Sequence, residues 1–113
     1  MKFSILSLIS VCFLATSCHN EKAITITSND YCAAVDTVTG IMVHDIFSPP
    51  VASRIYVYPN VAAYEIMVQN SKEYHSLQGQ LKGLDSIPVL DPKSGVNVPL
   101  AALIAQMEVS KKL

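Results

Sequence analysis

Three charged side chains in this sequence fall where apolar ones recur, and they are the first candidates for chemistry. On a helical projection Asp45 lies at the centre of a stripe made by Tyr31, Ala34, Val38, Ile41 and Met42. Arg54 shares a face with Val51, Tyr58, Val61 and Ala62, and Glu65 falls on the same side. A carboxylate on a buried face is costly unless it is paired or neutralised. The spacing favours a structural ion pair, Asp45 with Arg54, tying two consecutive helices across Pro49-Pro50, over a catalytic role. If that pair is buried, removing one partner would cost ~3–5 kcal/mol. Glu65 is the further buried-charge candidate.

The remaining reactive residue types assemble into no site. His44 and Asp45 are adjacent, so on one helix they diverge too far to share a metal ion. His19 and His75 are isolated, and neither an HExxH nor a CxxC spacing occurs, so no metal is expected. Cys32 reads as a small buried apolar residue rather than a reactive thiol. Tyr56, Tyr58 and Tyr64 form no single stripe and suit packing with wetted hydroxyls. No Gly-rich phosphate loop and no G-x-S-x-G elbow is present. The residues themselves nominate no catalytic group and no cofactor ligand.

The elements that must position these residues belong to a small chain. Its 113 residues fit one domain at most. Eight basic against nine acidic side chains leave no basic excess for a nucleic-acid partner. Half the residues are hydrophobic, which argues against disorder. Three cysteines without paired spacing exclude a disulfide-rich mini-protein.

The N-terminus reads as an export signal spanning residues 1–17. Lys2 precedes an apolar run from Phe3 to Ala15, within the ~7–15 residues of a signal core and short of the ~20 needed to span a bilayer. The run ends in Leu14-Ala15-Thr16-Ser17-Cys18, which resembles a bacterial lipoprotein signal. That resemblance makes Cys18 the lipidated first residue of an exported protein, anchored at the periplasmic or cell-surface face of a bacterial membrane. Two or more acyl chains, each buried CH₂ contributing ~0.8 kcal/mol, give stable attachment. The mature chain then keeps seven basic and nine acidic residues, a net charge of −2. Residues 18–27 read as a tether.

Residues 28–113 read as all-α, a partial bundle of three to four helices after the signal helix. The first should start at Ser28 or Asn29 as cap and stop at Pro49-Pro50. The second starts at Ser48, carries the two prolines in its first turn and runs to about Gln69, kinked or broken by Pro59. A weak short helix covers Ser76 to Leu84, loosened by Gly79 and Gly83, and Asp85 to Val98 is a loop. The last helix has Asn97 as cap, a stripe of Leu100, Leu103, Ile104 and Met107, and an i,i+4 pair of Glu108 with Lys112. It is still running at Leu113 without a stop signal, as in a truncated chain.

The segment from Ile41 to Tyr56 (IMVHDIFSPPVASRIY), continued by Pro59-Asn60-Val61-Ala62-Ala63-Tyr64-Glu65, resembles the N-terminal helices of lipid-anchored bacterial relatives of vanadium-dependent haloperoxidases, in the type 2 phosphatidic acid phosphatase superfamily. The Leu77-to-Pro88 stretch and the Ala-rich final helix are similar as well. The resemblance implies an all-α bundle whose site holds vanadate or a phosphoryl group with Lys, Arg and His side chains. It also implies that those residues lie in Lys…Arg-Pro, Pro-Ser-Gly-His and Ser-Arg…His…Asp motifs downstream of this segment. None of the three occurs in this chain: Pro92-Lys93-Ser94-Gly95-Val96 lacks the histidine, and Ser53-Arg54 has none after it at the required spacing. The expectation is therefore an inactive, non-catalytic scaffold and membrane tether. Its partners would be the C-terminal helices of the same protein, and vanadate would enter only in the full-length enzyme. The alternative is a complete small lipoprotein offering a helical groove as a binding module.

Overall fold

A computed structural model describes residues 23–91 and 93–113. The described residues form three α-helices and no strand: α1 Ser28–His44, α2 Pro49–Val68 and α3 Val98–Ser110. The all-α expectation holds at that level.

Helix α1 begins one residue earlier than expected, because Thr27 rather than Ser28 or Asn29 is its cap. Thr27 N–H donates to Asp30 Oδ2 at 2.7 Å and Asp30 N–H donates to Thr27 Oγ1 at 3.4 Å, a reciprocal capping box. The Thr27 N–H and the Thr27 hydroxyl, each donating to Asp30 Oδ2 at 2.7 Å, hold that carboxyl below the ordinary aspartate value of 3.8. The helix stops at His44, well before the prolines. Phe47 N–H donates to Met42 O at 3.1 Å and Ile46 N–H to Val43 O at 3.4 Å, the paired bonds of a Schellman stop. Glycine is the usual residue at the turning position, but Ile46 occupies it with φ 53°, where a β-branched side chain is strained.

Helix α2 starts as the sequence predicts, with Pro49 and Pro50 in its first two positions, although the Ser48 side chain makes no capping bond. The expected break at Pro59 does not occur; the helix continues through it. Packing overrides propensity here, because Pro59 is fully buried. Asn60 braces the same turn: its Nδ2 donates to Tyr56 O at 2.6 Å, and its Oδ1 accepts Tyr31 OH from α1 at 2.6 Å.

The weak helix expected over Ser76 to Leu84 is absent. Gly79 and Gly83 take φ values of 74° and 85°, and Gly79 N–H donates to Leu84 O at 2.9 Å, closing a tight loop instead. Helix α3 is capped by Asn97, whose Oδ1 accepts Leu100 N–H at 3.1 Å, as predicted. Its buried face is not the predicted stripe. Ala102 and Gln106 are the buried residues, whereas Ile104 and Met107 are about half exposed. Apolar residues surround α3, so periodicity could not choose the inward face; the small Ala102 allows close approach to α2. The predicted Glu108–Lys112 pair gives way to Glu108 with Lys111, at 2.8 Å on the surface.

The core is thin. Met42, Ile55, Ala63, Val68 and Ala102 are its buried hydrophobic residues, joined by Pro59, Glu65 and Gln106. Helices α2 and α3 pack along their length, and α1 touches α3 more lightly.

Two measurements test these local readings. Replacing Ile46 by Gly removes the left-handed strain from a side chain that is 88 % exposed, and should raise unfolding stability by about 1 kcal/mol in a denaturant titration. The Asp30 carboxyl is depressed in the folded state, so its contribution is full above the unfolded value and disappears as pH falls through the folded one. Amide exchange in the first turn of α1 should therefore rise selectively below about pH 4, and Asp30→Asn should remove that pH dependence.

Candidate functional site

Among the sequence candidates, the structure buries one. Glu65 lies on α2 and is 3 % exposed. Its Oε2 accepts the Ser76 hydroxyl at 2.7 Å and its Oε1 accepts Leu77 N–H at 2.7 Å. The buried carboxylate is thus satisfied by neutral donors from the loop that follows α2. One turn later Gln69 repeats the arrangement at the other end of that loop. Its Oε1 accepts Leu90 N–H at 2.7 Å, and its Nε2 donates to Pro88 O at 3.0 Å and to Glu65 O at 3.1 Å. Spaced i,i+4, the two side chains share one helix face and clamp the irregular segment at both ends.

Between the clamp and the loop is a cavity of about 430 Å³, lined by Glu65, Gln69, Ser76, Gln78 and Asp91 among others. Ser76 beside a carboxylate does not amount to an activated nucleophile. Both oxygens of Glu65 are engaged in holding the loop, and no imidazole among the described residues orients either group. The nearest histidine, His75, uses its backbone carbonyl to accept Tyr64 OH at 2.8 Å. Among the described residues, no group of three or more His, Cys, Asp or Glu side chains is placed to hold a metal ion. A second, open groove of about 600 Å³ runs along α2, walled by Val57, Tyr58, Val61, Ile66, Leu81 and Leu84.

The Asp45–Arg54 ion pair is not formed. The Schellman stop makes Asp45 the C-cap of α1, outside the apolar stripe, where its Oδ1 lies 2.8 Å from His44 Nδ1 on the surface. Arg54 is exposed on α2. The helix ends at His44, and the Asp45 carboxylate is left at the surface. Cys32, expected to be buried, is exposed. Of the three tyrosines, Tyr56 OH is 2.9 Å from Thr39 Oγ1 and Tyr64 OH donates to His75 O at 2.8 Å, so these two hydroxyls bond protein groups, whereas Tyr58 is half exposed. The lipidation candidate Cys18 lies outside the described residues. Gln69 was the missed partner of Glu65, and its four-residue spacing was the available signal. Gln106, also missed, is 2 % exposed with its Oε1 unpartnered among the described residues; its Nε2 is 3.4 Å from Ser110 Oγ.

Removing the Glu65 carboxylate leaves the half-buried Leu77 N–H and Ser76 hydroxyl without it as acceptor. Glu65→Ala should cost about 2–3 kcal/mol and expose the Leu77–Leu90 amides to exchange. Arg54→Met should stay within about 0.5 kcal/mol of the parent chain, far from the loss a buried pair would produce. Both are read from chemical denaturation curves.

In comparisons with known proteins, no family model, no curated protein and no solved structure matches this chain.

Proposed function

We propose that this chain is the non-catalytic N-terminal scaffold and membrane tether of a vanadium haloperoxidase-like or acid-phosphatase-like enzyme whose reactive motifs lie beyond it. The observation that supports this most is the apolar surface left uncovered on α2. Val57 is 52 % exposed and Tyr58 50 %, side by side on the groove that continues over Leu81 and Leu84. A contiguous apolar face of this kind marks a surface built for a neighbour. Helices of the same polypeptide, carrying the anion-binding Lys, Arg and His residues, are the neighbours in this reading. The clamp at Glu65 and Gln69 then fixes the loop that forms one wall of the seat.

No helix among the described residues is long and apolar enough to cross a membrane. Attachment therefore rests on acylation of Cys18 after export, as the residues before it suggest.

The reading frame beyond the codon for Leu113 provides the direct test. A continuation encoding Pro-Ser-Gly-His supports the scaffold; a stop codon followed by an unrelated gene overturns it in favour of a small lipoprotein binding module. The tether is tested by expressing the chain in a bacterial host with radiolabelled palmitate. Label is expected on the parent chain and absent from Cys18→Ala; equal labelling of the two would exclude acylation at that residue.

A further inference from the structure

Helix α1 is fastened to the rest of the fold by less than holds the other two helices together. Met42 is the one buried residue it contributes, whereas α2 and α3 supply the remaining buried positions among the described residues. Helices α2 and α3 pack along their length, while α1 touches α3 lightly and α2 more lightly still. A groove of about 300 Å³ interrupts the seam between α1 and α3, with Ala34, Val38 and Ile41 on one side and Met107 on the other. Walls separated by a groove forfeit their dispersion contacts, so this seam contributes little cohesion.

Three side-chain bonds close the seam instead. Tyr31 OH donates to Asn60 Oδ1 at 2.6 Å, Thr39 Oγ1 lies 2.9 Å from Tyr56 OH, and Asn97 Nδ2 donates to Ile24 O at 2.7 Å just ahead of the helix. The last two are exposed, where a bond to water replaces each at small net cost.

Two features of the closed arrangement are unfavourable. Ile46 turns the chain between α1 and α2 at φ 53°, with its side chain 88 % exposed, so burial offsets none of the backbone strain. Gln106 walls the groove and is 2 % exposed, yet its Oε1 has no partner among the described residues. The closed seam therefore keeps a carbonyl from water without giving it a donor. Beyond the corner, Pro49 and Pro50 fix the backbone of the first turn of α2, which confines a hinge to Asp45–Ser48.

We propose that α1 is a hinged cover, opening as a unit about the Asp45–Ser48 corner while α2 and α3 stay packed. Opening relaxes the turn at Ile46, returns Gln106 Oε1 to water and brings Met42 and Ile55 to the surface. The Glu65–Gln69 clamp and the groove on α2 are untouched by this motion, so it does not depend on the scaffold reading.

Amide exchange followed by NMR on the full chain in mild detergent tests the hinge. Amides from Ala34 to Met42 should exchange through one common opening, roughly tenfold or more faster than the slowest amides of α2 and α3. Denaturant should speed them less steeply, because opening exposes less surface than unfolding does. Ile46→Gly relieves the strain of the closed form and should slow the same α1 amides roughly fivefold. The proposal is overturned if the α1 amides exchange as slowly as those of α2 and α3, or respond as steeply to denaturant. Unchanged α1 rates in Ile46→Gly overturn it equally. None of these outcomes bears on the reading frame beyond Leu113, so failure here is distinguishable from failure of the scaffold.

Discussion

One carboxylate helps decide whether about a quarter of this molecule has a fixed shape. The described residues from Gln69 to Asn97 have no regular secondary structure, so their backbone cannot satisfy itself through a helical or sheet ladder. It is held because Glu65, taken out of water on α2, needs donors and finds them in Ser76 and Leu77. Gln69 repeats the exchange with Pro88 and Leu90. Desolvation makes each of these bonds expensive to leave unmade, and that expense gives the loop its register. Among the described residues five hydrophobic side chains are buried, so their core offers little else to hold it.

The sequence was most legible where a local rule had no tertiary competitor. Asn97 before Pro99 predicted the start of α3, and Ser48 before two prolines predicted the start of α2. Glu65 was recognisable as a buried charge because it interrupts an apolar face that remains helical on both sides. Asp45 was misread because the same reasoning assumed a helix that had already ended. No glycine or proline announces the stop at His44; an isoleucine in the left-handed region makes it. A break at Pro59 fails for the opposite reason, since burial of its ring and the bonds of Asn60 keep the helix going where propensity alone would end it.

Helix α3 illustrates a different limit. When nearly every face is apolar, periodicity carries no direction, and the inward side is chosen by shape. Ala102 is small enough for α2 to approach, so larger residues such as Ile104 and Met107 are turned outward. The buried Gln106 follows from the same geometry: it occupies the inward position one turn after Ala102, and its Oε1 has no partner among the described residues. The face selected by close approach therefore includes a polar group that a hydrophobic pattern would exclude.

The bond between Asn97 Nδ2 and Ile24 O, 2.7 Å long, joins residues 73 apart in sequence. Asn97 also caps α3, so one side chain fastens the incoming chain to the start of the last helix. In mechanical terms, a pull on the residues ahead of Ala23 meets this crosslink before it meets the first turn of α1. Load from a tether would be shared between the first and last helices rather than peeling α1 from its cap.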